Sequence, residues 1–185
     1  MARKKEYNKD VVLEKAMHLF WRNGYDTTSM QMLEKEMGIN KFSIYASFDN
    51  KYGLFLESLK NYKKKTNFMF EELKNSNNGI EDIKTFFYNS VNMCLKNEKG
   101  CLLTNTYYEF SSKEDKVIND QIAFFMNSLK EIFIEKLSIN STKDKDEILK
   151  QANFLLLAKH GLAKASKVNS PKEIEDYIEM TFKNL

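Results

Sequence analysis

Apolar residues recur along this chain at spacings of three and four, the period of a helix with one buried face. From Asn8 to about Asn23, Val12, Ala16, Leu19 and Phe20 form one stripe, widened by Val11 and Trp21, and Gly24 closes it. Two short patterns follow around Gly38-Ile39-Asn40, and a long helix is predicted from Lys51 to about Lys74. Asn75 to Gly79 is a polar loop. Beyond it the pattern predicts helices from Ile80 to about Asn97, with Ile83, Phe86, Phe87, Val91 and Leu95 inward and a break at Glu98-Lys99-Gly100. Further helices are predicted over Leu102–Phe110, from about Lys113 to Leu137, and from Asp144 to about Ser166. The last helix has Ser170 as N-cap, Pro171 at its first position and Glu173 as the capping-box partner. The expectation is an all-α protein of about nine helices, divided into a head over 1–50 and a body over 51–185.

The two short patterns are the most informative stretch. In the first, Thr28 is placed as N-cap with Gln31 completing a capping box, and Met30, Leu33 and Met37 share one face. Gly38 suits the left-handed residue that ends a helix, and Asn40 suits the cap of the next. That next helix, Lys41 to Phe48, has only Ile44 and Phe48 as an inward pair. The pair reads as a helix-turn-helix whose second member is free to enter a major groove. Phe42, Ser43 and Ala46 lie opposite the inward pair, with Lys41, Tyr45 and Ser47 on the flanks. Small and hydroxyl side chains permit close approach, Lys41 and Tyr45 reach phosphates, and Phe42 suits a thymine methyl. Thr28, Ser29 and Lys51 complete the candidate DNA-contacting set; Lys51 opens a helix whose N-terminus itself favours a phosphate. The alternative is that Phe42 and Tyr45 pack against a neighbouring helix.

The run GYDTTSMQMLEKEMGINKFSIYASFDNKYGLF resembles the N-terminal domain of the tetracycline-repressor (TetR) family of bacterial regulators. The landmarks are Gly24-Tyr25, Thr28, Leu33, Gly38-Ile39, Tyr45, Phe48, Lys51 and Leu54-Phe55. Glu34 stands where that family usually has a small residue, Phe42 where Gly, Ala or Pro is usual, and Tyr52-Gly53 in place of a commonly acidic-plus-Ala pair. The resemblance implies a homodimeric regulator that binds double-stranded operator DNA and holds a small, mostly apolar effector in its helical body. It implies no enzyme and no cofactor.

Composition adds direction. Residues 1–65 hold 13 Lys and Arg against 8 Asp and Glu, whereas residues 66–185 hold 16 against 18. A basic head on a slightly acidic body suits a nucleic-acid-binding end, including Arg3-Lys4-Lys5 as a basic arm. Lysine-rich surfaces also arise for solubility alone. One Pro and six Gly among 185 residues support an all-helical chain. His18 and His160 are far apart in sequence and lack acid or cysteine neighbours at metal spacing. Neither a phosphate-cradling glycine loop nor a nucleophile motif is present, which argues against an enzyme. Two cysteines suit a reducing cytoplasm, and no signal peptide or membrane span is expected.

Three sets of residues in the body carry expectations. Helices eight and nine are apolar over a wide surface, with Leu155, Leu156, Gly161, Ile174, Ile178 and Phe182 assigned to a dimer interface in a four-helix bundle. Among the many middle aromatics, Phe87 and Phe125 are assigned with Cys101, Asn105, Tyr108 and His160 to an effector pocket. Ordinary core packing accounts for most of the others. Cys101 opens a helix, where the macrodipole lowers a thiol pKa, and Lys164 is the cation assigned to it. The run GCLLTN resembles a segment common in one branch of the TetR family, some of whose members sense oxidants or electrophiles. A buried, inert cysteine is the competing reading.

Overall fold

A computed structural model describes residues 7–97, 100–183 and 185, with the side chains of 95–97 left aside. The basic arm Arg3-Lys4-Lys5, the break at Glu98-Lys99 and the inward placing of Leu95 therefore lie outside what is described. Among the described residues the chain forms nine helices: α1 (Lys9–Asn23), α2 (Met30–Met37), α3 (Lys41–Phe48), α4 (Lys51–Asn75), α5 (Ile80–Asn97), α6 (Leu102–Phe110), α7 (Lys116–Ser138), α8 (Lys145–Ala165) and α9 (Pro171–Phe182). They fall into two compact units, Met1–Thr66 and Asn67–Leu185. The division lies inside α4, beyond the 50/51 boundary expected from the helix pattern.

Burial explains that shift in the first unit. Leu54, Phe55, Leu59 and Tyr62 of α4 are buried in the same unit as Val12, Met17, Phe20 and Trp21 of α1. Phe20 meets Phe55 edge-on at 5.0 Å, and Trp21 meets Tyr62 likewise at 5.0 Å. Lys65 pairs with Glu14, whose carboxyl is held below its usual range chiefly by that hydrogen bond. A start-of-helix cap at Asp49-Asn50 thus marks an element boundary without marking a unit boundary.

Capping sets the helix ends. Asn8 accepts from the Asp10 and Val11 amides ahead of α1. Ser29, not Thr28, caps α2, accepting from the Met32 amide. Thr28 is fully buried and its hydroxyl donates to the Gly24 carbonyl at 2.6 Å. Once that hydroxyl satisfies the end of α1, the neighbouring exposed serine is left to cap α2. Similarly, α7 begins at Lys116 because Asp115 caps it, accepting from Ile118, three residues later than the apolar stripe suggests. Ser170, Pro171 and Glu173 form the expected capping box of α9.

The second unit packs its core from Leu73, Ile83, Phe86, Phe87, Leu129, Phe133, Leu155, Leu162, Ile174 and Ile178, among others. Lys136 of α7 is completely buried within it, and its ammonium donates to the Lys74 and Ser76 carbonyls at the end of α4. Those carbonyls lack helical partners, so a cation is the natural cap for them.

Candidate nucleic-acid interface

Helix α3 is two turns long and is held by two buried side chains, Ile44 and Phe48. Gly38 reaches φ 71° at the end of α2, and Asn40 caps α3 by accepting from the Ser43 amide. Glu34 adds a second cap, its carboxylate accepting from the Lys41 amide. This gives a role to a residue that departs from the family pattern: a carboxylate at the positive end of the recognition helix. Sequence pattern offered no sign of it beyond the departure itself.

The outer face of α3 is open. Phe42 is 83% exposed, and Lys41, Tyr45 and Ala46 are exposed beside it. Phe42 therefore does not serve as packing for a neighbouring helix among the described residues, whereas Tyr45 is partly covered. The Lys41 ammonium lies 5.4 Å from the centre of the Tyr45 ring, so cation and phenol share one flank. On the other flank Ser43 and Ser47 are half-buried, and the Ser47 hydroxyl lies 2.6 Å from that of Tyr7. Lys51 places its ammonium over the Tyr25 ring at 4.4 Å. Ser29 is exposed and occupied as a cap, while buried Thr28 has no side-chain surface to offer DNA.

The next helix is brought close by a glycine. A Cβ on Gly53 would stand 2.3 Å from the Phe48 carbonyl oxygen, a distance that no side chain tolerates. The Gly53 amide is free to bond the Asn50 side chain at 2.9 Å, which caps the start of α4. This is the physical reason for a glycine at position 53.

In the second unit the expected clusters separate. Phe87 is core, edge-on to Phe182 at 5.1 Å. Phe125 is half-buried against Phe70, with ring centres 5.1 Å apart. His160 is buried with Nε2 2.8 Å from the Met126 sulfur and its ring 5.7 Å from Tyr107, which in turn meets Tyr108 at 5.3 Å. Burial holds the His160 imidazole down to about 4, with Lys159 adding to the effect. Asn105 is half-buried on α6. Two cavities, of about 160 Å³ beside Glu72, Asp82 and Phe86 and about 640 Å³ beside Gly79, Lys136 and Ile139, include none of the six pocket candidates. Tyr107 and Met126, which the aromatic count could not rank, are the partners that the structure supplies.

Neither Cys94 nor Cys101 is in a disulfide, and both are buried, Cys101 at 7% exposure. Burial first, then the neighbouring Cys101, pushes the Cys94 thiol up to about 12. Cys101 stands at the N-cap of α6 without making a side-chain cap bond. The lysine brought against the Gly100-Cys101 turn is Lys167, whose Cε would lie 2.7 Å from a Cβ on Gly100. Lys164, assigned to Cys101 from sequence, sets its ammonium 4.7 Å from the Tyr108 ring.

The interface assignment also changes. Leu155, Ile174 and Ile178 are buried inside this chain's own core and offer nothing to a partner. Leu156 and Phe182 are half-buried against that core, while Gly161 is exposed. The open large apolar residues of α8 and α9 are Leu149, Phe154, Leu157, Tyr177 and Met180. Phe154, Leu157 and Gly161 share one face of α8, and the Tyr177 hydroxyl lies 3.9 Å from a Cβ on Gly161, which joins that face to α9.

Among the described residues, no helix is long and apolar enough to cross a membrane, and no group of three or more His, Cys, Asp or Glu could hold a metal ion. Residues 12–58 match the family described as bacterial regulatory proteins, tetR family. The HTH-type transcriptional regulator YezE of Bacillus subtilis (strain 168) is 33% identical over 112 residues, 59% of this chain and 58% of that protein. The chain thus spans little more than half the length of that relative. IcaR of Staphylococcus aureus (strain Newman), the HTH-type negative transcriptional regulator of the biofilm operon icaADBC, is 30% identical over 145 residues, 74% of each chain. A cysteine mutant of the TetR family regulator CifR, solved in complex with a 26-bp double-strand operator DNA, shares the fold with a TM-score of 0.85, at 22% identity and 98% coverage of both chains. The exposed second helix of a helix-turn-helix and these likenesses agree: the chain belongs to the tetR family of bacterial regulatory proteins.

Proposed function

We propose that the protein is a homodimeric repressor in the cytoplasm, seated on a palindromic operator through two copies of α3 and released by a small, mostly apolar effector. The observation that carries the DNA reading is the outer face of α3, where an 83% exposed Phe42 stands among Lys41, Tyr45 and Ala46. An aromatic ring so placed costs free energy in water and gains an apolar partner in a thymine methyl. Tyr45, Lys41 and Lys51 hold the register on phosphates. The apolar face of Phe154, Leu157, Tyr177 and Met180 supplies the dimer contact, and two α3 helices then read half-sites about one turn apart. The effector reading rests on the aromatic second unit, with Tyr107, Tyr108, Met126 and His160 as its polar and polarizable side.

Selection of duplexes from a random pool by the full chain tests this reading. A palindromic sequence should emerge, bound with an affinity that falls steeply with salt. Binding without sequence preference would count against it. A thiol switch at Cys101 is the second reading, favoured by the position of Lys167 beside the Gly100-Cys101 turn. Brief alkylation of the native protein, read by mass spectrometry, should label Cys101 ahead of Cys94 under that reading.

A further inference from the structure

Tyr7 lies ahead of α1, outside every periodic segment, yet its hydroxyl reaches α3. It donates to the Ser43 carbonyl at 3.1 Å and stands 2.6 Å from the Ser47 hydroxyl. A phenol carries one proton. With that proton on the Ser43 carbonyl, the shorter contact is Ser47 donating to Tyr7. In a helix the Ser43 carbonyl points at the Ser47 amide one turn on, so that carbonyl and the Ser47 hydroxyl sit side by side and one phenol meets both.

The caps at Asn40 and Glu34 and the approach of α4 to Phe48 hold the ends of α3, which leaves its sides to few side chains. Ile44 and Phe48 are its buried residues, and they lie nearly in line along the axis. Two anchors in line leave the helix free to roll about that line. At about 100° per residue, Ser43 and Ser47 fall on one flank, Lys41 and Tyr45 on the other, and Phe42 and Ala46 point outward between them. An anchor on the Ser43–Ser47 flank is therefore off the line and fixes the roll.

We propose that Tyr7 is a positioning residue for sequence recognition. By bridging Ser43 and Ser47 it sets the roll of α3, and with it which base edges Phe42 and the residues beside it meet. Ser47 serves this bridge and is withdrawn from the DNA-contacting set to which sequence assigned it. The proposal rests on the reading that α3 enters the major groove.

The test uses the full chain, a duplex enriched by the wild type from a random pool, and a scrambled duplex of equal composition, read by fluorescence anisotropy. Tyr7→Phe keeps the ring and removes the hydroxyl; Ser47→Ala removes the partner. Each should weaken the selected duplex by about three- to tenfold, the scale of one hydrogen bond, and leave the scrambled duplex unchanged. The double variant should bind no worse than the weaker single, because both remove the same link. Ser47→Thr keeps a hydroxyl and should retain wild-type selectivity, which covers the case of a poorly folding Tyr7→Phe. Equal losses on both duplexes, additive losses in the double variant, or no loss in either single would overturn the proposal alone. A wild type that enriches no sequence would overturn the DNA reading and this proposal with it.

Discussion

Phe42 and Lys51 test the division of labour on the DNA face one residue at a time. Phe42→Ala should cost about 1–3 kcal/mol on the selected duplex and relax preference at one or two base pairs, with random duplex unaffected. Lys51→Ala should weaken all duplexes alike and reduce the salt slope by about one. Competition binding against single-base variants of the selected duplex separates the two patterns. His160 gives a pH signature. Its folded value of about 4 lies below the ordinary 6.5, so between those two values the unfolded chain takes up a proton that the folded chain refuses. Stability from this site is complete above pH 6.5 and is lost as pH falls towards 4. Urea midpoints measured across that window should fall more steeply for the wild type than for His160→Gln.

At the scale of elements, the approach of α4 to the end of α3 depends on Gly53. Ala has the better helix propensity by about 1 kcal/mol. A methyl group 2.3 Å from the Phe48 carbonyl oxygen forces the two helix ends apart, at about 1–3 kcal/mol, and should outweigh that gain. Urea unfolding followed by the fluorescence of Trp21, the single tryptophan and a member of that unit's core, should place Gly53→Ala below the wild type. The elements themselves were legible in sequence, because each helix repeats its apolar period over about two or more turns and several, α9 above all, begin on a capping residue. What was not legible depends on which partner each side chain takes, near or far, and periodicity does not record partners. Thr28 and Ser29 are chemically equivalent caps until Gly24 claims one of them. Leu155 and Leu157 read alike in a run of four apolar residues, yet one is buried and the other is 70% exposed. Tyr7 stands 36 and 40 residues from its two partners and belongs to no stripe. Glu34 announced itself only as a departure.

For the whole molecule the open face of α8 and α9 is the decisive feature. Leu157→Glu places a charge at its centre and should yield monomers by analytical ultracentrifugation, with operator affinity lost in parallel. Leu155→Glu should instead unfold the second unit, since that residue is core. An intact Leu157→Glu dimer would remove this face from consideration. The same face has a further consequence, governed by mass action. Phe154, Leu157, Tyr177 and Met180 are water-exposed in a lone chain, so the proposed pairing would add stability that grows with the logarithm of chain concentration. The melting temperature should rise with protein concentration, and a cell holding few copies would have a softer, more protease-sensitive regulator than one holding many. If the chain pairs through this face as proposed, its abundance would set its stability before anything else acts on it.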